Sequence, residues 1–546
     1  MVPGHGARER SCPGPRPWPG SVDRLEDREV RERDVFGREA VALLTAEEAA
    51  AVDREVRERR GVPERVLMEN AGRSAAQVLD RLYPRGRVVA AVGGGHNGGD
   101  ALVLLRTLRA WGREVAYVAA TGRAPDPELL HDFTLEAVPA EDAGAAFLRA
   151  DVIVDGILGT GTRGAPREPA AGVIRAMNGS GRPIIALDLP SGIDPTTGEV
   201  PGEAVRAAVT VTFGWPKRGL LHFPARSYCG RLVAVEIGFP PLAEDRASGA
   251  LITPAWAAAR LPIREPGAHK TKVGRVLVLA GREGMAGAAA VATHAALRAG
   301  AGYLRVASSA ANREILQSLV PEALFVDRAD REALAEAAGA SDALVAGPAL
   351  GVDDVAREIL DRVLEAMPGA PALLDADALT LLAGDGEALR RIASERPLLL
   401  TPHPGEMSRL TGRPIPEILA DPHAAATGLA ERIGSAVLLK GAPSIVAAPG
   451  EPVLVNTVGS SDLATAGMGD QLSGTAGAFL AAGATPRVAA ALALFYAGRA
   501  ADLAAMGRSL GPREVSEMLA RSFADPGPSS PPLGLPFVTF DQPPRW

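Results

Sequence analysis

Lysine is nearly absent from this chain. Of the 58 basic residues among 546, only Lys217, Lys270, Lys272 and Lys440 are lysines, so a lysine inside a motif stands out against an arginine-rich background. Cysteine is scarcer still: Cys12 and Cys229 cannot build a disulfide framework, which fits a reducing compartment. Positive charge is not in excess, because the formal net charge is -7, and this argues against a mainly electrostatic nucleic-acid binder. Long apolar runs are missing as well. Stretches such as Met285–Leu297 are too short to span a bilayer, and the opening MVPGHGARERSCPGPRPWPGS lacks the apolar core of a signal peptide. These absences predict a soluble, cytoplasmic protein without nucleic-acid or membrane partners.

What is present has globular proportions, with 47% apolar and 23% charged residues. Glycine (61) and proline (45) together exceed ordinary usage without any collagen-like period, which points to a loop-rich enzyme of many short elements. At about 150 residues per domain the length predicts between three and four domains, but the elements read along the chain resolve into two large units and irregular ends. Residues 1–40 show no lasting period and read as a flexible extension. Order begins near Leu43, where Thr45 and Glu48 have capping-box spacing, and a second helix is expected over roughly Pro63 to Leu82. Short apolar strands follow at Val88–Val92, Glu114–Val118, Val152–Ile157, Pro183–Leu189, Val205–Phe213 and Leu232–Ile237.

A second succession runs through Arg275–Ala280, Leu304–Val306, Ala343–Val345, Leu373–Leu374, Pro397–Leu400, Val437–Leu439 and Ile445–Ala447. Helix-compatible stretches between strands predict parallel sheets covered by helices, an α/β fold in each half. The expected division is an extension over 1–40, a first domain over 41–245, a second over 246–525, and an irregular tail over 526–546 in which Phe537–Phe540 docks onto the body. A helical pair rich in small residues is expected at about Ser461–Ala482 and Pro486–Met506.

Polar residues interrupt the apolar pattern where parallel strands should end, and open α/β sheets bind ligands there. In the first half these are GGGHNGGD (93–100), Asp155 with the loop 159–165, and Asp188, Ser191 and Asp194 of LDLPSGID. A glycine-rich turn from strand into helix presents backbone N–H groups to an anion, usually phosphate. The spacing is not that of a hydride-transferring dinucleotide domain. In the second half, Thr401, His403 and Glu406 follow a strand, bracketed by Pro402 and Pro404, while Ala466–Asp470 is a glycine-rich turn opening a helix. An aspartate in such a turn can deprotonate a hydroxyl for attack on phosphate, with Mg²⁺ offsetting phosphate charge. His403, Asp375 and Asp377 have no recognisable zinc spacing.

LLTAEEAAAVD, LMENAG, the glycine loop, VDGILGTGTRG and LDLPSGID, in that order, resemble the YjeF N-terminal family, the epimerases of NAD(P)HX, over about residues 43–240. NAD(P)HX denotes the hydrated forms of NADH and NADPH. The resemblance implies that His96, Asn97, Gly98, Gly99 and Asp100, with Gly159, Thr160, Gly161, Thr162, Arg163, Gly164 and Ala165, embrace the hydrated dinucleotide. It also implies that Asn97, Asp155 and Ser191 bind K⁺ and that Asp188 is the catalytic acid/base, a role suited to moving a proton during epimerisation at C6. Where the family loop reads Gly-x-Asn-Asn-Gly-Gly-Asp-Gly, this chain has His96 at the first Asn and Ala101 at the last Gly. His96 is expected either to donate a hydrogen bond or to cap the turn.

From about residue 250 to 525 the ordered series HK, AGREGMAGA, GPALG, LDADAL, TPHPGE, LKGAPS and GMGD resembles the YjeF C-terminal family, NAD(P)HX dehydratases of ribokinase-like fold. That resemblance implies a nucleotide site including Lys440, Gly441, Ala442, Pro443, Ser444 and Gly469, and a hydrated-dinucleotide site including Ala286, Gly351, His403 and Asp470, with Asp470 the base. It implies ADP or ATP as phosphoryl donor. HKTKVG replaces the usual HKG segment, and Met468 stands where threonine is common.

Together the two resemblances imply a Rossmann-like three-layer domain followed by a ribokinase-like α/β domain, acting on NADHX and NADPHX as a homo-oligomer. The alternatives are a ribokinase-like kinase for a small alcohol or vitamin precursor, fused to a nucleotide-binding domain, and a degenerate dinucleotide sensor or scaffold.

Overall fold

The computed structural model describes residues 41–121, 126–240, 242, 246–527 and 533–543; the expectation for residues 1–40 lies outside them. Its strands in chain order are β1 (Val41–Leu43), β2 (Val88–Val92), β3 (Val115–Ala119), β4 (Glu136–Val138), β5 (Val152–Gly156), β6 (Ile184–Leu187), β7 (Val209–Phe213), β8 (Arg231–Val235), β9 (Gly249–Leu251) and β10 (Arg275–Leu279). There follow β11 (Tyr303–Ser308), β12 (Leu324–Asp327), β13 (Ala343–Ala346), β14 (Ala372–Leu374), β15 (Leu398–Leu400), β16 (Ala436–Leu439), β17 (Ser444–Ala447), β18 (Val453–Asn456) and β19 (Val538–Gln542).

They form two sheets. The first has the order β19-β8-β7-β6-β5-β2-β3-β4 and the second β1-β9-β18-β17-β16-β15-β14-β13-β10-β11-β12. In the first, every pairing from β8 to β4 is parallel. In the second, the run from β16 to β12 is parallel, and β17 turns the sheet antiparallel. Strands such as β2 (VVAAV) and β5 are buried along their whole length, as expected of parallel strands covered on both faces.

Helices α1 (Ala46–Glu58), α2 (Glu64–Leu82) and α3 (His96–Ala110) belong to the first half. The expected capping box is formed, with Thr45 Oγ1 accepting from Glu48 N at 3.1 Å and Glu48 Oε2 accepting from Thr45 N at 2.7 Å. In the second half the small-residue helix Met468–Ala481 lies close to the sheet: a Cβ on Gly477 would come within 2.1 Å of Val345 Cγ2. This helix starts later than expected because Gly467, at φ 88°, breaks the chain direction just before it.

Two strands depart from the expected division at 245/246. β1 pairs antiparallel with β9 in the second sheet, although it precedes the first, and β19 pairs antiparallel with β8 in the first sheet, although it ends the chain. The tail expected to be irregular thus contributes a strand, and Phe537–Phe540 docks as part of that edge. The physical reason is a two-point anchor: Arg231 Nε and Nη2 donate to Asp541 Oδ1 and Oδ2 at 2.7 and 2.6 Å.

Candidate active sites

In the first sheet the strand order reverses at β2 and β5, so a crevice opens beyond their C-terminal ends. The chain leaving β2 passes so close to that leaving β5 that a Cβ on Gly93 would lie 2.0 Å from Ile157 O, and one on Gly98 would lie 1.9 Å from Gly93 O. Glycine is therefore dictated by backbone approach at both positions. Gly95 is the N-cap of α3 and offers no side-chain oxygen, and a first turn without a side-chain cap can offer its N–H groups to an anion. His96 does not cap this turn. Its imidazole is exposed, with Nε2 2.9 Å from Glu64 Oε1. The loop 159–165 is half-buried at Gly159, Thr160 and Thr162 and exposed at Gly161, Arg163, Gly164 and Ala165.

Asn97, Asp155 and Ser191 come together around Leu158. Asn97 Nδ2 donates to Leu158 O at 2.8 Å, and Leu158 N donates to Ser191 Oγ at 2.9 Å. The Ser191 backbone N–H and hydroxyl both donate to Asp155 at 2.7 Å. Burial pushes Asp155 up to about 6 against these hydrogen bonds and one from the Ile157 N–H. Asn97 Oδ1 is buried with no partner. Amide, hydroxyl, carboxylate and carbonyl oxygens with one left unsatisfied suit a hard cation.

Asp188 directly follows β6 in the left-handed backbone region (φ 62°) and receives the ammonium of Lys217. Its Oδ1 also faces Phe213 N at 3.3 Å and Thr212 Oγ1 at 3.4 Å. Lys217 is 4% exposed, and its Nζ donates further to Phe213 O at 3.1 Å and Thr212 Oγ1 at 3.3 Å. Asp100, also buried, is pushed well above the ordinary carboxylate value by burial first and then by the charge of Asp188, with Lys217 opposing. The site therefore holds a buried carboxyl whose proton is held more tightly than usual near a lysine-bound carboxylate, an arrangement that can set proton donor apart from acceptor. Sequence reasoning assigned Lys217 no role; its rarity was the available signal.

The second sheet reverses at β10 and β13. Asp375, at the end of β14, is 1% exposed and takes Lys440 Nζ on Oδ1 at 2.6 Å and the Ser473 hydroxyl on Oδ2 at 2.7 Å. Burial works against the Lys440 charge, yet Asp375 and Glu406, the latter 3.9 Å away, hold its pKa above normal. A Cβ on Gly469 would lie 3.5 Å from Lys440 Nζ, so the glycine turn sits directly against the lysine. Asp470, in the first turn of the helix Met468–Ala481, is pushed up to about 7 by burial and then by Asp375, with Lys440 opposing.

Of the other expected residues, Ala286 starts the helix Ala286–Arg298, and Gly351 donates its N–H to Asp377 Oδ2 at 2.9 Å. His403 caps the helix Pro404–Thr411: its Nδ1 accepts from Gly405 N at 3.0 Å, and Glu406 Oε2 accepts from His403 N at 2.8 Å. A cavity of about 770 Å³ brings Lys440, Gly441, Ala442, Pro443, Ser444 and Gly469 onto one wall system with the loop after β18. Met468 lines it too, with its side chain packed against the core.

The sequence pattern described as NAD(P)H-hydrate dehydratase matches residues 276–521, and that described as YjeF-related protein N-terminus matches residues 64–219. A bifunctional NAD(P)H-hydrate repair enzyme of Moorella thermoacetica is 37% identical over 500 residues, covering 85% of this chain and 93% of that protein. One from Mycobacterium leprae is 38% identical over 489 residues, covering 86% and 97%. A solved ADP/ATP-dependent NAD(P)H-hydrate dehydratase from Bacillus subtilis aligns with 50% of this chain and 96% of its own, at 29% identity and a TM-score of 0.44.

Proposed function

The chain belongs to the family of bifunctional NAD(P)H-hydrate repair enzymes, and from that premise we propose that two lysine-held aspartate sites divide its chemistry between the two halves. The protein repairs hydrated nicotinamide cofactors by epimerising and dehydrating NAD(P)HX. Its fold is a Rossmann-like unit followed by a ribokinase-like one. The observation that carries the site assignment is that two of only four lysines meet aspartates at the C-terminal edges of the two sheets, Lys217 with Asp188 and Lys440 with Asp375.

In the first site the glycine loop and the loop 159–165 receive the dinucleotide, its pyrophosphate at the start of α3. Asp100 holds a proton for the C6 hydroxyl, and Asp188, fixed by Lys217, moves the proton that exchanges as the R and S epimers interconvert. Asn97, Asp155 and Ser191 would hold K⁺, and the orphaned Asn97 oxygen supports that fit. Such an ion supplies charge to offset buried Asp155 and to tie the polar loops together.

In the second site Asp470 takes the proton of the C6 hydroxyl as that oxygen attacks the terminal phosphate of ADP or ATP and displaces AMP or ADP. The new C6–O–phosphate bond then breaks with loss of a ring proton from C5, which restores the double bond and releases inorganic phosphate. Lys440 and the backbone N–H groups at Gly469 face the phosphates and Asp375 orients Lys440; Mg²⁺ carried by the nucleotide would offset phosphate charge. His403, Gly351 and Ala286 border the dinucleotide end. The product distinguishes this reading from a small-alcohol kinase, which would yield a stable phosphate ester.

Homo-oligomerisation and a cytoplasmic location are part of the same proposal. The buried unpaired thiol of Cys229 suits a reducing compartment, and among the described residues no helix is long and apolar enough to cross a membrane. Separate assays of epimer exchange and of nucleotide-dependent cofactor recovery, on Asp188→Asn and Asp470→Asn, test the division. Each substitution is expected to abolish one reaction and spare the other; loss of both together from either one overturns it.

A further inference from the structure

The cavity assigned to the nucleotide is not confined to the second half. Leu221, Phe223 and Ser227, from the segment between β7 and β8, line it, and so does Gln542, the last residue of β19. Gln542 is a member of the first sheet, paired with Leu232, yet its Nε2 donates to Thr457 O at 2.9 Å in the loop after β18. It is 6% exposed, and its Oε1 has no partner. Phe223 presents a large ring that is 52% exposed, whereas Leu221 and His222 just before it are buried. Arg226, on the same wall, donates to Gly230 O at 2.7 Å and to Pro543 O at 3.4 Å, which tethers the chain just beyond β19.

We propose that this wall is the base-binding side of the nucleotide site, so that one adenine nucleoside di- or triphosphate is held by both halves of the chain. The inference rests on reading the cavity as the nucleotide site. Positive charge and the glycine-turn N–H groups lie at Lys440 and Gly469, which places the phosphates there. The lining around Phe223, Leu463 and Leu494 is apolar and suits a flat heteroaromatic base, against which an exposed phenyl ring can stack. A buried amide with an unused acceptor is the group that recognises an exocyclic amine. The same segment carries Lys217, immediately before the short helix Arg218–Leu221, so the nucleotide contact and the lysine that holds Asp188 share one piece of backbone.

The test measures ADP binding to the full chain and to Phe223→Ala, Gln542→Ala and Lys440→Ala, together with hydrogen exchange of the wild-type protein with and without ADP. Each wall substitution is expected to weaken ADP binding by roughly fivefold or more, and ADP is expected to slow exchange over 221–229 and 538–543. Should a variant fail to fold, the wild-type exchange pattern decides. If Lys440→Ala weakens binding while both wall variants stay within about twofold of wild type and exchange at 538–543 is unchanged, the shared wall is overturned and the nucleotide site stands. If the wild-type protein binds neither ADP nor ATP, the nucleotide reading fails and the wall with it.

Discussion

Lys217 lies 29 positions from Asp188 in the chain, and only the fold of β6 and β7 side by side brings its ammonium onto that carboxylate. An alanine there leaves a half-buried aspartate without its counter-charge. Lys217→Ala is expected to slow epimerisation by roughly a hundredfold or more while nucleotide-dependent dehydration of the S epimer persists, as resolved-epimer kinetics would show. Asp470 supports a pH prediction. Its folded pKa is raised from 3.8 to about 7, so the base form appears only as pH rises through about 7. Dehydration kcat/KM should therefore climb across that range and level off above it, and Asp470→Asn should lose both the activity and the slope.

The same shift has a stability consequence of fixed sign. The folded state binds more protons than the unfolded one between 3.8 and about 7, so the Asp470 carboxyl lowers stability as pH rises through that window. Asp470→Asn is expected to unfold at higher denaturant than wild type at pH 8, with the gap closing toward pH 4. At this scale the aspartates were legible in the sequence because polar residues break apolar strands. Their pairing with lysines was not: Lys217 was given no role, and Lys440, read as a nucleotide-site residue, stands 65 positions from Asp375 with no local pattern joining them.

Long buried strands were legible for the same reason: VVAAV has no other reading at that length, and the expected Val88–Val92 coincides with β2. Short strands were not. β4 (EAV) is mostly exposed, β9 (GAL) is three residues opening with glycine, and β19 (VTFDQ) follows a proline-rich stretch. Their pairing comes from partners distant in sequence. For β19 the partner is Arg231, whose guanidinium grips Asp541, a carboxylate with no exposed side-chain surface. Arg231→Ala leaves that charge buried and unpaired and is expected to destabilise the protein by about 3 kcal/mol, read as a lowered midpoint in urea. A midpoint unchanged from wild type would mean that β19 is held by its backbone pairing alone.

Across the whole molecule, the exchange of terminal strands ties the halves together more tightly than a division at 245/246 implies. β1 closes the second sheet from the start of the described chain, β19 closes the first from its end, and Arg218 reaches Asp421 across the same boundary at 3.3 Å. The full chain should accordingly unfold in one calorimetric transition, whereas residues 246–546 expressed alone should melt earlier, having lost β1. Length arithmetic overcounted the domains because much of the excess lies in the ends and in glycine-rich ligand loops rather than in further cores. The motifs of the two proposed sites are nevertheless legible in the sequence, and two of its four lysines meet aspartates there.

The central claim is that one chain carries two separable lysine-held sites acting in series. The most direct measurement supplies resolved R-NADHX with Mg²⁺ and ADP or ATP and follows the return of NADH for the wild type, Lys217→Ala and Lys440→Ala. The wild type should recover NADH from the R epimer, Lys217→Ala should recover it only when S-NADHX is supplied, and Lys440→Ala should interconvert the epimers without recovering NADH from either. Recovery from the R epimer by Lys217→Ala at the wild-type rate, or nucleotide-dependent recovery by Lys440→Ala at the wild-type rate, would contradict the account.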